Sequence, residues 1–196
     1  MVDAALSGGA SLIQYRNKMA DADLRIRQAR VLLKLCRQHG AALIINDHAA
    51  LCLELDADGV HLGGDDGDAA AIRAQLGPER ILGVSCYNRF ELALTAQAQG
   101  ADYVAFGACF DSATKPVAVH APLELFRRAQ SELQIPVVAI GGITLANAQL
   151  ALDIGANAIA VIGELFFAND ITQTARQFSN LFNHADYHDL TQPAVI

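Results

Sequence analysis

A short phrase recurs along the chain, in which a glycine or another small residue leads into a run of apolar, often β-branched residues. The phrase begins at Gly9, Gly40, Asp58, Gly100 and Gly155. A glycine can end a helix in the left-handed conformation, and a run that is apolar on both faces is typical of a buried parallel strand. The phrase therefore predicts a chain built from repeated strand and helix units.

Two further apolar runs, at residues 81–84 and 137–140, bring the predicted strands to seven. The segments between strands show helical periodicity, most clearly at residues 23–39, where apolar side chains share one side and the cations, Arg25 among them, lie largely on the other. Asp21 or Asp23 can cap this helix, and Gly40 can end it. Further helices are expected at about residues 68–76, 89–99, 122–133, 145–154 and 170–183.

The alternation of strands and helices predicts an α/β protein with a parallel sheet. A closed TIM (β/α)8-type barrel has eight strands and usually binds phosphate in the loops after the seventh and eighth. Gly141 and Gly142 follow the sixth visible strand, so we expect a barrel that lacks its first β-strand, ahead of Leu12, in this chain. A single barrel domain over residues 1–183, with a polar tail over residues 184–196, is the predicted organisation.

Charge and composition narrow the classes of function. The 196 residues carry 14 basic and 21 acidic side chains, and a formal charge of −7 argues against nucleic acid or an acidic membrane as a partner. No apolar run approaches the roughly 20 residues of a membrane helix, and residues 1–6 do not resemble a secretory signal, so we expect a cytoplasmic protein. The cysteines form no C-x-x-C pair, which predicts reduced structural thiols.

Polar side chains collect where the predicted strands end, which is where a parallel barrel carries its chemistry. Alternation after the first run places Gln14, Arg16 and Lys18 on one face. Two cations and an amide that point the same way suit a diphosphate, although a polar exit from a strand gives the same pattern.

Aspartates follow the second and third predicted strands. Asn46 and Asp47 end one strand, and Asp65 and Asp66 follow the other. Two carboxylates about 4 Å apart repel by about 4 kcal/mol at an effective dielectric of about 20, so converging aspartates usually share a cation, and oxygen ligands favour magnesium. Helix N-capping by Asp65, Asp66 and Asp68 is the alternative interpretation.

Hydroxyl and backbone N–H groups indicate a second candidate anion site. Ser85 ends one strand, and Ser112, Thr114 and Lys115 lie in the loop after another, although a turn rich in Ser and Thr has the same composition. The glycine pair that ends at Gly142 precedes a predicted helix, whose N-terminal N–H groups and dipole attract phosphate.

Two further positions lie in or directly after predicted strands. Gly163, after Ile162, would let a ligand approach the backbone beside the glycine pair. His61 lies in an apolar strand, and we expect it to be a core histidine hydrogen-bonded to the backbone and outside the site.

The motifs form an ordered set over about residues 6–182. They are Gln14-x-Arg16-x-Lys18, Asn46-Asp47, Asp58-Gly59-Val60-His61-Leu62-Gly63 with Asp66, Gly83-Val84-Ser85, Ser112-x-Thr114-Lys115 and Ile140-Gly141-Gly142-Ile143. In this order they resemble the thiamine-phosphate synthase family, part of the thiamine monophosphate synthase/TenI superfamily.

The resemblance implies a transferase that joins hydroxymethylpyrimidine diphosphate to hydroxyethylthiazole phosphate and releases diphosphate. It implies that the pyrimidine diphosphate is held by Gln14, Arg16, Lys18, Asn46, Ser85 and Lys115. Asp47 and Asp66 would bind Mg2+. The thiazole phosphate would be held by Ser112 to Thr114, Gly142, Ile162 and Gly163. Arg16, Lys18, Lys115 and magnesium would stabilise the leaving diphosphate in a dissociative substitution, while Ser85 orients it.

Several positions depart from the family pattern. Tyr87, Gly64 and Ser112 stand where histidine, glutamine and threonine are common, and Asp111 adds a negative charge beside the thiazole phosphate site in place of a frequent proline. Two alternatives stay open, a thiazole tautomerase and a non-catalytic phosphate-ligand binding module. Small molecules are the expected partners, and a homo-oligomer is compatible with the sequence.

Overall fold

The computed structural model describes residues 1–63, 67–111 and 119–183. The predicted tail at residues 184–196 lies outside them. Within the described residues a single parallel sheet of seven strands runs through the molecule in chain order. Its strands are β1 (Leu12–Tyr15), β2 (Ala42–Asn46), β3 (Gly59–Leu62), β4 (Ile81–Tyr87), β5 (Tyr103–Phe106), β6 (Val137–Ile140) and β7 (Ala158–Ala160).

Each strand pairs with the next one, from β1 to β7, and the described residues show no pairing that closes β7 onto β1. All seven predicted strands are present, and the predicted TIM-type α/β fold is confirmed. The segment ahead of β1, where a strand was expected to be missing, contains a helix in this chain.

Helices connect the strands. They are α1 (Val2–Ser7), α2 (Ala22–His39), α3 (Ala49–Leu55), α4 (Ala69–Leu76), α5 (Phe90–Ala98), α6 (Leu123–Glu132), α7 (Ala148–Asp153), α8 (Gly163–Phe166) and α9 (Ile171–Asn183). The sequence predicted six of them. It missed α1, α3 and α8, which have six, seven and four residues, because two turns or fewer carry almost no periodicity.

The caps of α2 follow the prediction. Asp21 accepts a hydrogen bond of 2.7 Å from the backbone N–H of Leu24, and Gly40 ends the helix at φ 68°. α1 packs against α9, where the Thr172 hydroxyl donates to the carbonyl of Ala4 at 3.1 Å. Among the described helices, none is both long and apolar enough to cross a membrane.

The recurring phrase has a physical role that its apolar residues alone do not show. Asp58 accepts a hydrogen bond of 2.7 Å from the N–H of Leu43 and returns its own N–H to the Leu43 carbonyl at 3.1 Å. Asn157 makes the same reciprocal pair with Val137, at 2.8 Å for both bonds. The polar residue before a strand thereby fixes the start of the preceding strand.

The two faces of the sheet differ in the size and polarity of the side chains that they carry. Large side chains such as Phe106, Phe126 and Phe178 fill the layer between strands and helices, and Phe106 meets Phe126 edge to face at 5.7 Å between ring centroids. The opposite face carries a smaller cluster around Tyr103 and Val138. Burying a polar group on this face is unfavourable unless the group is hydrogen-bonded, so the polar side chains of the candidate site are expected to bond one another.

Candidate active site

A cationic cleft lies at the carboxyl ends of β1 and β2. It is lined by Tyr15, Arg16, Asn17, Lys18, Arg25, Asn46, Asp47 and His48. Four residues predicted from the sequence, Arg16, Lys18, Asn46 and Asp47, therefore lie together.

The turn after β1 holds Arg16 and Lys18 at the cleft. The Asn17 side chain accepts hydrogen bonds from the backbone N–H groups of Met19 and Ala20, both at 3.1 Å. Its amide also donates to Gln28 on α2 at 3.1 Å. Because Asn17 is tied to both the turn and the helix, the exposed side chains on either side of it project from a fixed backbone.

Arg25 is a cleft residue that the sequence reasoning placed on the outer side of α2, and that placement is wrong. Its Nη2 donates to the carbonyl of Ala20 at 2.7 Å, and its Nε is buried without a hydrogen-bond partner. Its charge also acts with burial to lower the pKa of His48. The sequence feature that could have indicated this contact is the position of Arg25 in the first turn of α2, because that turn lies beside the ends of the strands.

Three cations of the cleft, Arg16, Lys18 and Arg25, have no carboxylate within ion-pair distance in the part of the chain that the structure describes. Several other arginines are paired, as in Arg37 with Asp56 at 3.2 Å. Unpaired cations that converge on one cleft create a positive local field despite the negative net charge. The cleft is thus suited to a multiply charged anion.

Asp47 faces the same cleft in a conformation that is uncommon for a residue with a side chain. Its φ is 63°, and its backbone N–H donates to the carbonyl of His61 at 2.9 Å. One carboxylate oxygen, Oδ1, is buried without a hydrogen-bond partner among the residues that the structure describes. A buried oxygen left unpaired fits a hard cation such as magnesium, which takes oxygen ligands. The second predicted ligand, Asp66, lies outside the described residues.

A buried polar layer lies beside the cleft on the inner face of the sheet. The strand register sets Asn46 opposite His61, His61 opposite Gly83, and Gly83 opposite Tyr103. His61 Nδ1 lies 2.9 Å from the Tyr103 hydroxyl, and His61 Nε2 lies 2.7 Å from the hydroxyl of Ser85. Two predicted residues join this layer: Ser85 through its bond to His61, and Gln14 beside Tyr103, whose pKa it acts to lower.

His61 is buried, as predicted, but its expected hydrogen bond to the backbone is wrong, because the ring bonds two side chains. Burial, with a smaller contribution from the Arg16 charge, lowers the pKa of His61 to about 4. The imidazole is therefore neutral near neutral pH. The sequence offered no signal for this contact, because His61 and Tyr103 are 42 residues apart.

The glycine loop after β6 differs from its prediction. Helix α7 begins at Ala148, so Gly142 does not lie at a helix N-terminus. The Asn147 side chain instead accepts from the N–H of Thr144 at 2.8 Å and donates to the Gly142 carbonyl at 2.9 Å, which delays the helix. Gly142 has φ 68°, and a Cβ there would overlap the carbonyl of Phe110, so only glycine fits.

Ile162 and Gly163 follow β7, next to the glycine loop after β6. Ile162 is exposed, and a Cβ on Gly163 would meet only the Phe167 ring, at 3.9 Å, among the described residues. This open backbone leaves room for a ligand beside Gly142. The other predicted residues of this end, Ser112, Thr114 and Lys115, lie outside the described residues. The flanking Asp111, which was expected to add a negative charge, lies with its carboxylate 2.9 Å from Nε2 of His120.

A TIM-type α/β fold, with unpaired cations and a buried polar layer at one end of its strands, defines a class of proteins that bind anionic small molecules at that end. The family model described as "Thiamine monophosphate synthase" matches residues 1–165. The chain belongs to this family, which confirms the resemblance carried by its motifs.

Individual relatives support the same family assignment. A thiamine-phosphate synthase from Methylobacillus flagellatus is 57% identical over 181 residues, covering 92% of this chain and 86% of that protein. One from Chromobacterium violaceum is 55% identical over 179 residues, covering 91% and 86%. The solved structure of a thiamine phosphate pyrophosphorylase from Pyrococcus furiosus superposes with a TM-score of 0.84 at 35% identity, over 92% of this chain and 86% of that one.

Proposed function

We propose that this chain carries out the thiamine-phosphate synthase reaction, in which the pyrimidine methylene carbon is transferred from diphosphate to the thiazole nitrogen. Membership of the family and 57% identity over 92% of the chain support this transferase activity. The structural observation that carries the proposal is the cleft in which three cations and a buried carboxylate oxygen of Asp47 have no partner within the described part of the chain.

The residues divide into two ends. The diphosphate end comprises Arg16, Lys18, Arg25, Asn46 and Ser85. Gln14 belongs to the buried layer beside it. Asp47, together with Asp66, would hold Mg2+, which when bound supplies further positive charge to the leaving diphosphate. Gly142, Ile162 and Gly163 would hold the thiazole phosphate, with Ser112, Thr114 and Lys115 from the loop between β5 and α6.

The cleft acts on the bond that breaks. As the C–O bond lengthens, the bridging oxygen gains negative charge, and fixed cations stabilise that charge more in the transition state than in the bound substrate. A unit charge pair about 4 Å apart at an effective dielectric of about 20 is worth about 4 kcal/mol, so part of one such interaction lowers the barrier measurably. Arg16 and Lys18 on their anchored turn are placed for this role.

No protein nucleophile is needed. The aminopyrimidine delocalises the positive charge left on its methylene carbon, and the thiazole nitrogen captures that carbon with its own lone pair. The diphosphate leaves with the electron pair of the broken C–O bond. Ser85 then serves as a hydrogen-bonding group, because its neighbour His61 is neutral and hydroxyl-bonded rather than paired with a carboxylate.

The partners that we propose are these two small molecules, in the cytoplasm and without nucleic acid or membrane. The formal charge of −7 supports this, because a negative net charge repels nucleic acid and acidic lipid at long range, whereas the cleft itself is lined by cations. Whether the chain forms a homo-oligomer stays a prediction.

The experiment is a diphosphate-release assay with both substrates, coupled to detection of thiamine phosphate by mass spectrometry. We expect release only when both substrates and magnesium are present, and a strong loss in Asp47→Asn but not in the control Asp153→Asn, an exposed carboxylate on α7. Binding of thiazole phosphate without turnover would instead identify a phosphate-binding module and refute the proposal.

A further inference from the structure

Four side chains from four different strands meet inside the sheet. Gln14 comes from β1, His61 from β3, Ser85 from β4 and Tyr103 from β5. Tyr103 and His61 are buried, whereas Ser85 and Gln14 are only partly buried. The chain of contacts therefore runs from a sealed interior to a hydroxyl that ligand or water can reach.

Gly83 makes this arrangement possible. A Cβ at Gly83 would overlap the Tyr103 ring, so the ring lies across the backbone of β4 in space that any other residue would fill. The Tyr103 ring also stacks with the His61 ring, with 5.6 Å between centroids and 26° between planes. The hydroxyl of Tyr103 is thereby held at His61 Nδ1.

The direction of the hydrogen bonds follows from a count of donors. Burial raises the pKa of Tyr103 and keeps the phenol protonated, so its hydroxyl carries a hydrogen to donate. A buried O–H needs an acceptor, and the acceptor among the described residues is Nδ1 of His61. The ring has no carboxylate partner in the described part of the chain, so it carries one proton, which must lie on Nε2.

A proton on Nε2 fixes the role of Ser85. His61 donates to the Ser85 oxygen at 2.7 Å, and the serine hydrogen then points away from the ring. Ser85 is the more exposed end of the network, and its partner His61 pairs in register with the cleft residue Asn46, which places the serine hydrogen on the side of the cleft where an anion would bind. The opposite tautomer would make His61 accept from Ser85 and would take the Nδ1 acceptor away from the Tyr103 hydroxyl.

We propose that His61 is a positioning residue, held by Tyr103 in its Nε2–H tautomer, which orients the Ser85 hydroxyl as a hydrogen-bond donor to the leaving diphosphate. This rests on the proposed function for the identity of the anion, although the tautomer itself does not depend on it. The serine is a fixed donor and forms no bond to substrate.

The first measurement uses the wild-type protein without ligand. In protein labelled with 15N-histidine, the two ring nitrogens of His61 are expected to show a protonated Nε2 and an unprotonated Nδ1, with a coupling from the Nδ1 resonance to the Tyr103 hydroxyl proton. The assignment uses the signals lost in His61→Gln. A protonated Nδ1 would overturn the proposal, whatever the activity of the protein.

The second measurement compares two variants of the same position. A glutamine amide reaches the place of Nε2, so His61→Gln keeps a donor toward Ser85, whereas the shorter asparagine amide of His61→Asn reaches only the place of Nδ1. A hydrogen bond to a charged group is worth about 1.5–3 kcal/mol, so we expect kcat to fall about tenfold to a hundredfold in Ser85→Ala and His61→Asn. His61→Gln should retain several times the kcat of His61→Asn.

Controls separate this role from a merely structural one. His39 is the last residue of α2, at the end of the helix opposite the cleft, and its ring is hydrogen-bonded to Asp3. His39→Asn should therefore leave kcat unchanged. Thermal unfolding monitors the stability of each variant, since lost packing would affect both His61 variants alike. Equal kcat in His61→Gln and His61→Asn would refute the positioning role, and a wild-type protein that forms no thiamine phosphate would refute only the proposed function.

Discussion

Replacing Arg25 with alanine tests the one cleft cation that periodicity alone does not assign to the site. The guanidinium is anchored on one side, where Nη2 donates to the Ala20 carbonyl at 2.7 Å. Its Nε faces no partner and is buried from water. Arg25 is therefore anchored at the wall of the cleft, where its charge can act on a bound anion.

The expected magnitude differs for stability and for binding. Arg25→Ala loses the hydrogen bond to Ala20, worth about 0.5–1.5 kcal/mol, but it also removes a buried unsatisfied donor that costs about 1–3 kcal/mol, so the free energy of unfolding should change by about 1 kcal/mol or less. In contrast, one charge-assisted hydrogen bond to a diphosphate is worth about 1.5–3 kcal/mol. The affinity for diphosphate should then fall by about tenfold to a hundredfold.

The assay is calorimetric titration with inorganic diphosphate, with and without magnesium, at low and at high salt. The matched control is Arg27→Ala, which removes the same charge from an exposed position two residues along α2. We expect the control to bind within about twofold of wild type, since long-range charge effects at the surface are screened by salt. If Arg25→Ala bound diphosphate as tightly as Arg27→Ala, the assignment of Arg25 to the anion site would be wrong.

Three further predictions concern the inner face and the strand ends. Gly83→Ala should lower the free energy of unfolding by about 3 kcal/mol or more in urea titration, because its Cβ would overlap the Tyr103 ring; an ordinary stability with intact activity would contradict the placement of that ring. Because the pKa of His61 is lowered to about 4 in the folded state, against about 6.5 when unfolded, its contribution to stability is present above pH 6.5 and lost as the pH falls toward 4. Wild type should therefore lose about 3 kcal/mol more than His61→Gln over that range, and parallel losses would show that His61 is not the titrating group. Asn157→Ala leaves the N–H of Val137 without its partner and should cost about 1–3 kcal/mol, whereas Asn169→Ala at an exposed position ahead of α9 serves as a control with little expected change.

The strands were predictable because one local pattern encodes both their composition and their pairing. Asp58 and Asn157 each stand directly before a strand, and each is hydrogen-bonded to the N–H and the carbonyl of a residue at the start of the preceding strand. The short helices α1, α3 and α8 carry no such repeated signal. The late start of α7 was missed because it depends on one side chain, Asn147, which bonds backward to Thr144 and Gly142.

The cleft was partly predictable for a geometric reason. Parallel strands end at one edge of a sheet, so Arg16, Lys18 and Asp47 could be expected together from their positions after two strands. Arg25 was missed because periodicity assigns a residue to a side of a helix, whereas the contact of Arg25 with the cleft comes from its position in the first turn of α2. Its contribution depends on the turn that Asn17 holds against α2.

The buried layer escaped prediction for a different reason, and that reason explains why the layer is neutral. A charge taken into the interior without a partner is strongly unfavourable, so an inner face that holds polar groups must pair hydroxyl, amide and imidazole groups with one another. Such pairing depends on strand register and on the gap at Gly83, neither of which leaves a periodic mark in the sequence. Charges therefore stay at the solvent-accessible cleft, where Arg16 and Lys18 can meet an anion, while His61 and Tyr103 remain neutral beside them. This separation gives the site a cationic surface to bind a diphosphate and a neutral interior that can fix the direction of a single hydroxyl.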